Sequence, residues 1–234
     1  MSSGGELFDG YADSYQQAVE RSIAFAGGDV DRFTRRKARH LLDVAQRRLG
    51  DPGALSALDV GCGVGATDRH LVRAFGELHG VDTAAEAVQR AALANPEAIY
   101  AAYEGIRLPY EDGRFDLAFA ICVVHHVSPP GWSAFAAELG RVVRPGGIVA
   151  LFEHNPVNPL TRLAVSRCEF DEDATLLSAA TAAGLLSAAG LDVVERRHIV
   201  FFPWDRPRSR TLERALAWVP AGAQHYVAAR RPIR

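Results

Sequence analysis

The sequence predicts a single α/β domain built on a doubly wound, mostly parallel sheet. Three observations support this prediction. Ala54 to Val60 is a short apolar run that ends in a glycine-rich turn, and Phe115 to Val124 is a near-continuous apolar run of the kind buried on both faces of a parallel sheet. Segments with helical spacing alternate with these strands. At 234 residues, 48% of them hydrophobic, the chain can bury one core of this class.

The other elements are assigned in order from periodicity and from the glycines and prolines that separate them. Helices are predicted at Leu7 to Val19, Asp31 to Leu49, Thr67 to Val72, Thr83 to Val88, Trp132 to Val143, Ala174 to Ala189 and Leu212 to Trp218. Further strands are predicted at His79 to Asp82, Ala98 to Tyr103, Ile148 to Phe152, Leu191 to Val194, His198 to Phe202 and Gln224 to Ala229. Two prolines and two asparagines in Glu153 to Arg162 exclude a continuing helix or strand there. The arginines of Asp31 to Leu49 are predicted to form a solvated face.

Composition narrows the class of protein. A net charge of −2 argues against a nucleic-acid partner. No apolar stretch approaches the roughly 20 residues that span a bilayer, and the first residues lack a secretory pattern, so a cytoplasmic protein is expected. Cys62, Cys122 and Cys168 have no spacing typical of a metal or disulfide framework, which predicts three small buried hydrophobic side chains and no metal.

The glycine-rich turn after Val60 is the strongest functional signal. Gly61, Gly63 and Gly65 stand at alternate positions, as expected where a ligand approaches the backbone closely and where the following helix presents its amides. The turn also fits a dinucleotide fingerprint. Asp59 at the strand end favours a ligand with a positive group over a pyrophosphate, whereas Asp82, placed to bind a ribose, serves either cofactor.

The residues from about Phe8 to Leu151 resemble the nucleotide-binding half of class I S-adenosylmethionine (SAM)-dependent methyltransferases. Their motif of an acid followed by alternating glycines is matched at Asp59, Gly61, Gly63 and Gly65. The resemblance implies SAM as the cofactor and an antiparallel edge strand at the C-terminal end of the sheet. It also implies a helical N-terminal lid, residues 1–52, over a core, residues 53–234, with an acceptor-side insertion around residues 153–175.

The resemblance also implies which residues bind SAM. Tyr15 reaches the methionyl end, unless it only packs its helix, and Glu104 accepts the adenine amino group, unless it is a solvated loop acid. The full implied set is Tyr15, Asp59, Gly61, Cys62, Gly63, Gly65, Asp82, Thr83, Glu104, Gly105, Ile106 and Ile121.

Polar residues after the fourth and fifth main strands are the candidates for acceptor chemistry. His126, Glu153 and His154 are predicted at the carboxyl ends of these strands, where open α/β sheets bind ligands. A structural role for His126, and a hydrogen-bonded turn at Glu153 to Arg162, are the alternatives.

The function expected from these residues is methyl transfer from SAM to a small-molecule acceptor, with O- or N-methylation favoured. A nicotinamide-dependent oxidoreductase and a cofactor-binding protein that does not methylate are the alternatives. The sequence indicates neither the acceptor nor an oligomeric state.

Overall fold

The computed structural model describes residues 30–233, which form a seven-stranded sheet in the order β3-β2-β1-β4-β5-β7-β6. The strands are β1 Ser56–Val60, β2 Glu77–Asp82, β3 Ile99–Ala102, β4 Phe115–Ile121, β5 Val143–His154, β6 Asp192–Ile199 and β7 Gln224–Arg230. Strands β1 to β5 pair in parallel, and β7 is antiparallel to both β5 and β6. The predicted doubly wound, mostly parallel fold with an antiparallel C-terminal strand is confirmed.

Helices and short 3₁₀ turns connect the strands. The α-helices are α1 Val30–Arg48, α2 Ala85–Ala94, α3 Trp132–Val142, α4 Pro159–Val165, α5 Ala179–Ala188 and α6 Pro207–Leu216. None of these helices in the described range is long and apolar enough to cross a membrane.

The core lies on both faces of the sheet because successive side chains of a strand point to opposite sides. In β4, Ala118 and Ala120 face a cluster that includes Leu139 of α3, whereas Leu117 and Phe119 face a cluster that includes Leu41 of α1. All six side chains are fully buried. A strand with two buried faces needs apolar residues at every position, which is why this run was readable as a parallel strand.

Two predicted elements differ in kind from the structure, and the strands predicted at Leu191 to Val194 and His198 to Phe202 form one strand, β6. Thr67 to Val72 forms a 3₁₀ turn at Asp68–His70 in place of a helix, so no helical N-terminus follows the glycine turn. The segment after Glu153 is more regular than expected, because β5 continues to His154 and α4 begins at Pro159. Proline is compatible with the first position of a helix, where its missing N–H is not needed, and Asn158 caps the helix through the amides of residues 160 and 161.

The prediction that the arginines of α1 form a solvated face is wrong for Arg36, whereas Arg35 and Arg47 are exposed as predicted. Arg36 is 1% exposed and pairs with Glu213 of α6, which also accepts a hydrogen bond from the amide of Phe201. Arg47 and Arg48 both reach Glu195 of β6. These ion pairs fasten α1 to the C-terminal part of the chain.

We expect Arg36→Met to lower the free energy of unfolding by about 3 to 5 kcal/mol, because it leaves Glu213 buried without its partner charge. The double variant Arg36→Met/Glu213→Gln should recover at least half of that loss. Arg35→Met is the matched control: its partner Asp31 lies on the surface, so the loss should stay below about 1 kcal/mol. Urea unfolding measures all three, and equal losses for the two arginine variants would contradict the assignment.

Candidate active site

The glycine-rich turn is a tight loop pressed between neighbouring elements. Gly61, Gly63 and Gly65 have φ angles of +83°, +51° and +71°, a region that favours glycine. A Cβ on Gly61 would lie 2.5 Å from Cγ2 of Val123, and one on Gly65 would lie 2.5 Å from Nδ2 of Asn95. A Cβ on Gly63 would meet nothing within 4 Å. Gly61 and Gly65 are therefore required by packing, while Gly63 borders open space.

Three amides of this turn are bonded within the protein, so they do not face a ligand. The amides of Gly61 and Cys62 both donate to the carbonyl of Val81, at 2.7 and 3.0 Å. The amide of Gly63 donates to Oδ2 of Asp82 at 2.8 Å. The turn is thus bonded to the end of β2. A ligand would therefore meet the carboxylates beside the turn, and not these three amides.

Asp82 organises the carboxyl end of β2. Its Oδ1 accepts from the amide of Ala84 at 3.0 Å while Oδ2 holds Gly63. A carboxylate oxygen has two lone pairs, so both oxygens can accept a further hydroxyl. Gly105 lies beside Thr83, since a Cβ on Gly105 would be 3.2 Å from Cγ2 of Thr83. The predicted cofactor residues that follow β2 and β3 are therefore neighbours.

The remaining predicted cofactor residues differ in burial. Cys62 is buried, Ile121 is half-buried at the end of β4, and Glu104 and Ile106 are exposed after β3. Tyr15 lies outside the described residues.

Asp59 and Asp68 form a buried pair of carboxyl groups beneath the turn. They are 3% and 0% exposed, and the sequence did not point to Asp68. Burial, and then Asp68 itself, raises the pKa of Asp59 well above its usual value, and burial raises the pKa of Asp68 to about 6. Tyr100 donates to Oδ2 of Asp68 at 2.7 Å. The pair therefore keeps a proton at neutral pH, and a cationic ligand would neutralise the negative charge that remains on it.

Lys37 supplies a positive charge that acts on Asp59. It is buried on α1, and its Nζ lies 3.8 Å from Sγ of Cys122. Cys122 has φ of +60°, a strained conformation for a residue other than glycine. Burial would raise the pKa of its thiol, but Lys37 and then His154 lower it to about 7. Cys122 therefore has polar neighbours, contrary to the expectation of an ordinary hydrophobic side chain.

Glu153 fixes the turn that follows β4. It is 1% exposed and accepts hydrogen bonds from the amides of Val123 and Val124, at 3.2 and 2.8 Å, and from Nδ1 of His125 at 2.5 Å. Burial would raise the pKa of Glu153, but His125 lowers it. The expectation that Glu153 takes a proton from an acceptor does not fit this enclosed geometry, in which it orients His125.

Asp171 reaches the same turn from the insertion between β5 and β6. Its Oδ1 lies 3.5 Å from Nε2 of His125 and 3.5 Å from Nε2 of His126. Burial would lower the pKa of His125, yet Glu153 and Asp171 raise it to about 10. Burial and the charge of His125 lower the pKa of His126 to about 4. Sequence reasoning missed Asp171 because no motif surrounds it.

His154 completes the polar group at the end of β5. Its ring centroid lies 5.2 Å from that of His125, and the ring centroid of His126 lies 4.2 Å from that of His125. Nδ1 of His154 is 3.5 Å from Nε2 of Gln224 on β7. The structure thus brings together the three predicted catalytic residues around one buried imidazole.

The comparisons with known proteins decide the family of this chain. A family model described as a methyltransferase domain matches residues 58–151, which include the glycine turn, β4 and most of β5. An uncharacterized methyltransferase of Synechocystis sp., sll0829, is 33% identical over 146 residues that cover 61% of this chain and 68% of that protein. The chain belongs to the class I SAM-dependent methyltransferases. SAM is therefore its cofactor, and the nicotinamide alternative is set aside.

Other relatives differ in the atom they methylate. The chloroplastic tocopherol O-methyltransferase of Arabidopsis thaliana is 28% identical over 150 residues, covering 61% of this chain and 37% of that protein. Further relatives are named as N- and C-methyltransferases, and the chain spans between 37% and 38% of their length. Among solved structures, the putative methyltransferase of Haloferax volcanii bound to the Trm112 activator has a TM-score of 0.64 at 20% identity, covering 91% of this chain and 98% of its own. That likeness shows the fold.

The buried carboxyl pair makes the unfolding free energy depend on pH. At a pH between the ordinary carboxyl pKa of about 4 and the raised values, the folded protein retains a proton that the unfolded protein releases. The free energy of unfolding therefore falls as pH rises through this range. We expect Asp68→Asn to gain about 1 to 3 kcal/mol relative to wild type between pH 5 and pH 8. Urea unfolding without SAM at both pH values measures this gain.

Asp116→Asn is the control for this prediction. The pKa of Asp116 is lowered, since burial is outweighed by its bonds to Ser56 and Arg144. Its difference from wild type should therefore be the same at pH 5 and pH 8. If the difference in free energy of unfolding between Asp68→Asn and wild type were also the same at pH 5 and pH 8, the pair would not hold a proton.

Proposed function

We propose that this methyltransferase acts on a small molecule at a hydroxyl or amine group. The observation that carries the proposal is the arrangement of His126 and His154, two partly exposed imidazoles whose ring centroids lie 4.2 and 5.2 Å from that of the buried His125. Imidazole nitrogens accept and donate hydrogen bonds, so this group is suited to a polar acceptor atom. The contact between Gly61 and Val123 places the turn with these histidines against the cofactor turn.

The residues present fit SAM. The buried carboxyl pair lacks hydrogen-bond partners at Oδ1 of Asp59 and of Asp68 among the described residues, and a cation would complement it. In this proposal Asp59 complements the positive charge of SAM, and Asp82 binds its ribose. Gly63 leaves the open space in the turn that the cofactor would occupy. Glu104, Gly105 and Ile106 would flank the adenine. Cys62, Gly65, Thr83 and Ile121 complete the proposed set.

The N-terminal residues would close this site. Residues 1–52 are proposed as a lid, of which the described part, α1, packs on the sheet through Leu41 and Val44. Lys37 on this helix faces the carboxyl pair. The insertion around residues 153–175 would form the acceptor side, since it carries Asp171 and is joined to the turn by the hydrogen bond from the amide of Thr175 to the carbonyl of His125, at 2.9 Å.

SAM supplies a methyl group carried on a positively charged sulfur. The protein must hold the acceptor in line with that group, and such positioning can supply much of the rate. An amine must present its lone pair, and a hydroxyl must lose its proton during or before attack. His126 and His154 would orient the acceptor group and receive its hydrogen bond, while Glu153 and Trp132 hold the turn. Trp132 donates to the carbonyls of Val124 and Val127, at 3.0 and 2.8 Å.

An acceptor screen tests this proposal. Phenols, alcohols and amines would be incubated with enzyme and SAM, with S-adenosylhomocysteine formation as the readout and mass spectrometry to locate the new methyl group. We expect turnover with at least one class. For that acceptor, His126→Asn and His154→Asn should each lower kcat/KM about 10- to 100-fold, while the affinity for S-adenosylhomocysteine stays unchanged.

His198→Asn, a substitution on β6, is the control and should keep wild-type kcat/KM. Product formation only on carbon acceptors, or full activity in both histidine variants, would contradict the proposal.

A further inference from the structure

We propose that His125, His126 and Asp171 form a binding site for one divalent transition-metal ion. The three side chains come from two separate parts of the chain, the turn after β4 and the 3₁₀ turn Glu169–Asp171 in the insertion. One ligand atom of each lies within 4.8 Å of the other two. Two imidazoles and one carboxylate are a donor set that suits zinc, iron, cobalt or manganese.

The spacing of these atoms matches a coordination sphere. Bonds of about 2.0 to 2.1 Å at tetrahedral angles place two ligand atoms about 3.3 to 3.4 Å apart. Oδ1 of Asp171 lies 3.5 Å from Nε2 of both histidines. Both contacts of Asp171 are therefore within a few tenths of an ångström of this spacing, and the two histidine ligand atoms, which lie within 4.8 Å of each other, would draw together around an ion. Three protein ligands leave a fourth position for water or an acceptor atom, as in catalytic metal sites.

The surroundings of His125 provide independent support. Its Nδ1 donates to Oε2 of Glu153, so that its Nε2 points towards Asp171. Histidines that bind metals in proteins commonly hold a carboxylate at the other nitrogen, which fixes the ring and strengthens the ligand. Glu153 is itself fixed by the two backbone amides of the turn. The ring of His125 is thus oriented for an ion before one binds.

The site is open on one side. The His125 side chain is 1% exposed, whereas those of His126 and Asp171 are 25% and 13% exposed. An ion could enter from the side of His126 and Asp171 and be held against the buried His125. The open position would then face the acceptor side of the pocket.

The ion would activate a hydroxyl acceptor, a role that rests on the proposed methylation of a small molecule. A hydroxyl coordinated by a divalent ion loses its proton more readily, and that proton would pass to solvent. The oxygen electron pair would then form the bond to the methyl carbon while the bond from that carbon to sulfur breaks, leaving neutral S-adenosylhomocysteine. The acceptors favoured by the site are therefore phenols and alcohols able to reach a metal.

Cobalt binding tests the site directly. Protein treated with a chelator and then dialysed would be titrated with Co²⁺, following visible absorption and calorimetric heat in the absence of any acceptor. We expect one equivalent to bind to wild type. His126→Gln and Asp171→Asn should abolish the absorption bands, and Glu153→Gln should weaken binding about 10- to 100-fold.

The matched control is Asp173→Asn, an exposed acid two residues from Asp171, which should bind Co²⁺ like wild type. S-adenosylhomocysteine binding verifies that each variant is folded, and His126→Gln, at a partly exposed position, keeps the test valid if Asp171→Asn does not fold. Absence of stoichiometric Co²⁺ binding to wild type, or unchanged binding in His126→Gln, would show that His125 and Asp171 form only an ion pair. Because no acceptor is present, this failure is distinct from a failed acceptor screen.

Discussion

The close approach of the turn after β1 to the turn after β4 is the constraint on which the rest of the site depends. Gly61 leaves no room for a side chain beside Val123, so the backbone of the cofactor turn touches the turn that carries the histidines. Glu153 holds that second turn through two amides and His125. A carboxylate at the end of β5 thereby fixes the turn after β4 beside the turn after β1, since the parallel strands bring all three strand ends to one edge of the sheet.

Much of the fold could be predicted from the sequence because its signals are local. The apolar run of β4 and the glycines after β1 each report a backbone environment that few other residues tolerate. Prediction failed where tertiary contacts override local preference. Arg36 looked like a surface residue until its pairing with Glu213 placed it in the interior, and the residues after the glycine turn have helical spacing but adopt a 3₁₀ turn.

The candidate site was predictable only where a motif or a strand end marked it. Asp59, Asp82, His126 and His154 stand at strand ends, which is a position readable from sequence. Lys37 and Asp171 join the site through folding alone, since they lie far along the chain from the residues they face. Asp68 lies close to Asp59 in the chain, but no motif marked it. The role of Glu153 also required the structure, because burial changed it from a possible base into a group that orients His125.

The most direct test of the central claim is the affinity of Gly63→Ala for S-adenosylhomocysteine, measured by calorimetry against Gly190→Ala. Both glycines have positive φ and space for a Cβ, so each substitution should cost a similar free energy of unfolding, about 1 to 2 kcal/mol. If the turn after β1 holds SAM, Gly63→Ala should lose at least tenfold in affinity while Gly190→Ala binds like wild type. Equal, undiminished affinity in both variants would contradict the account.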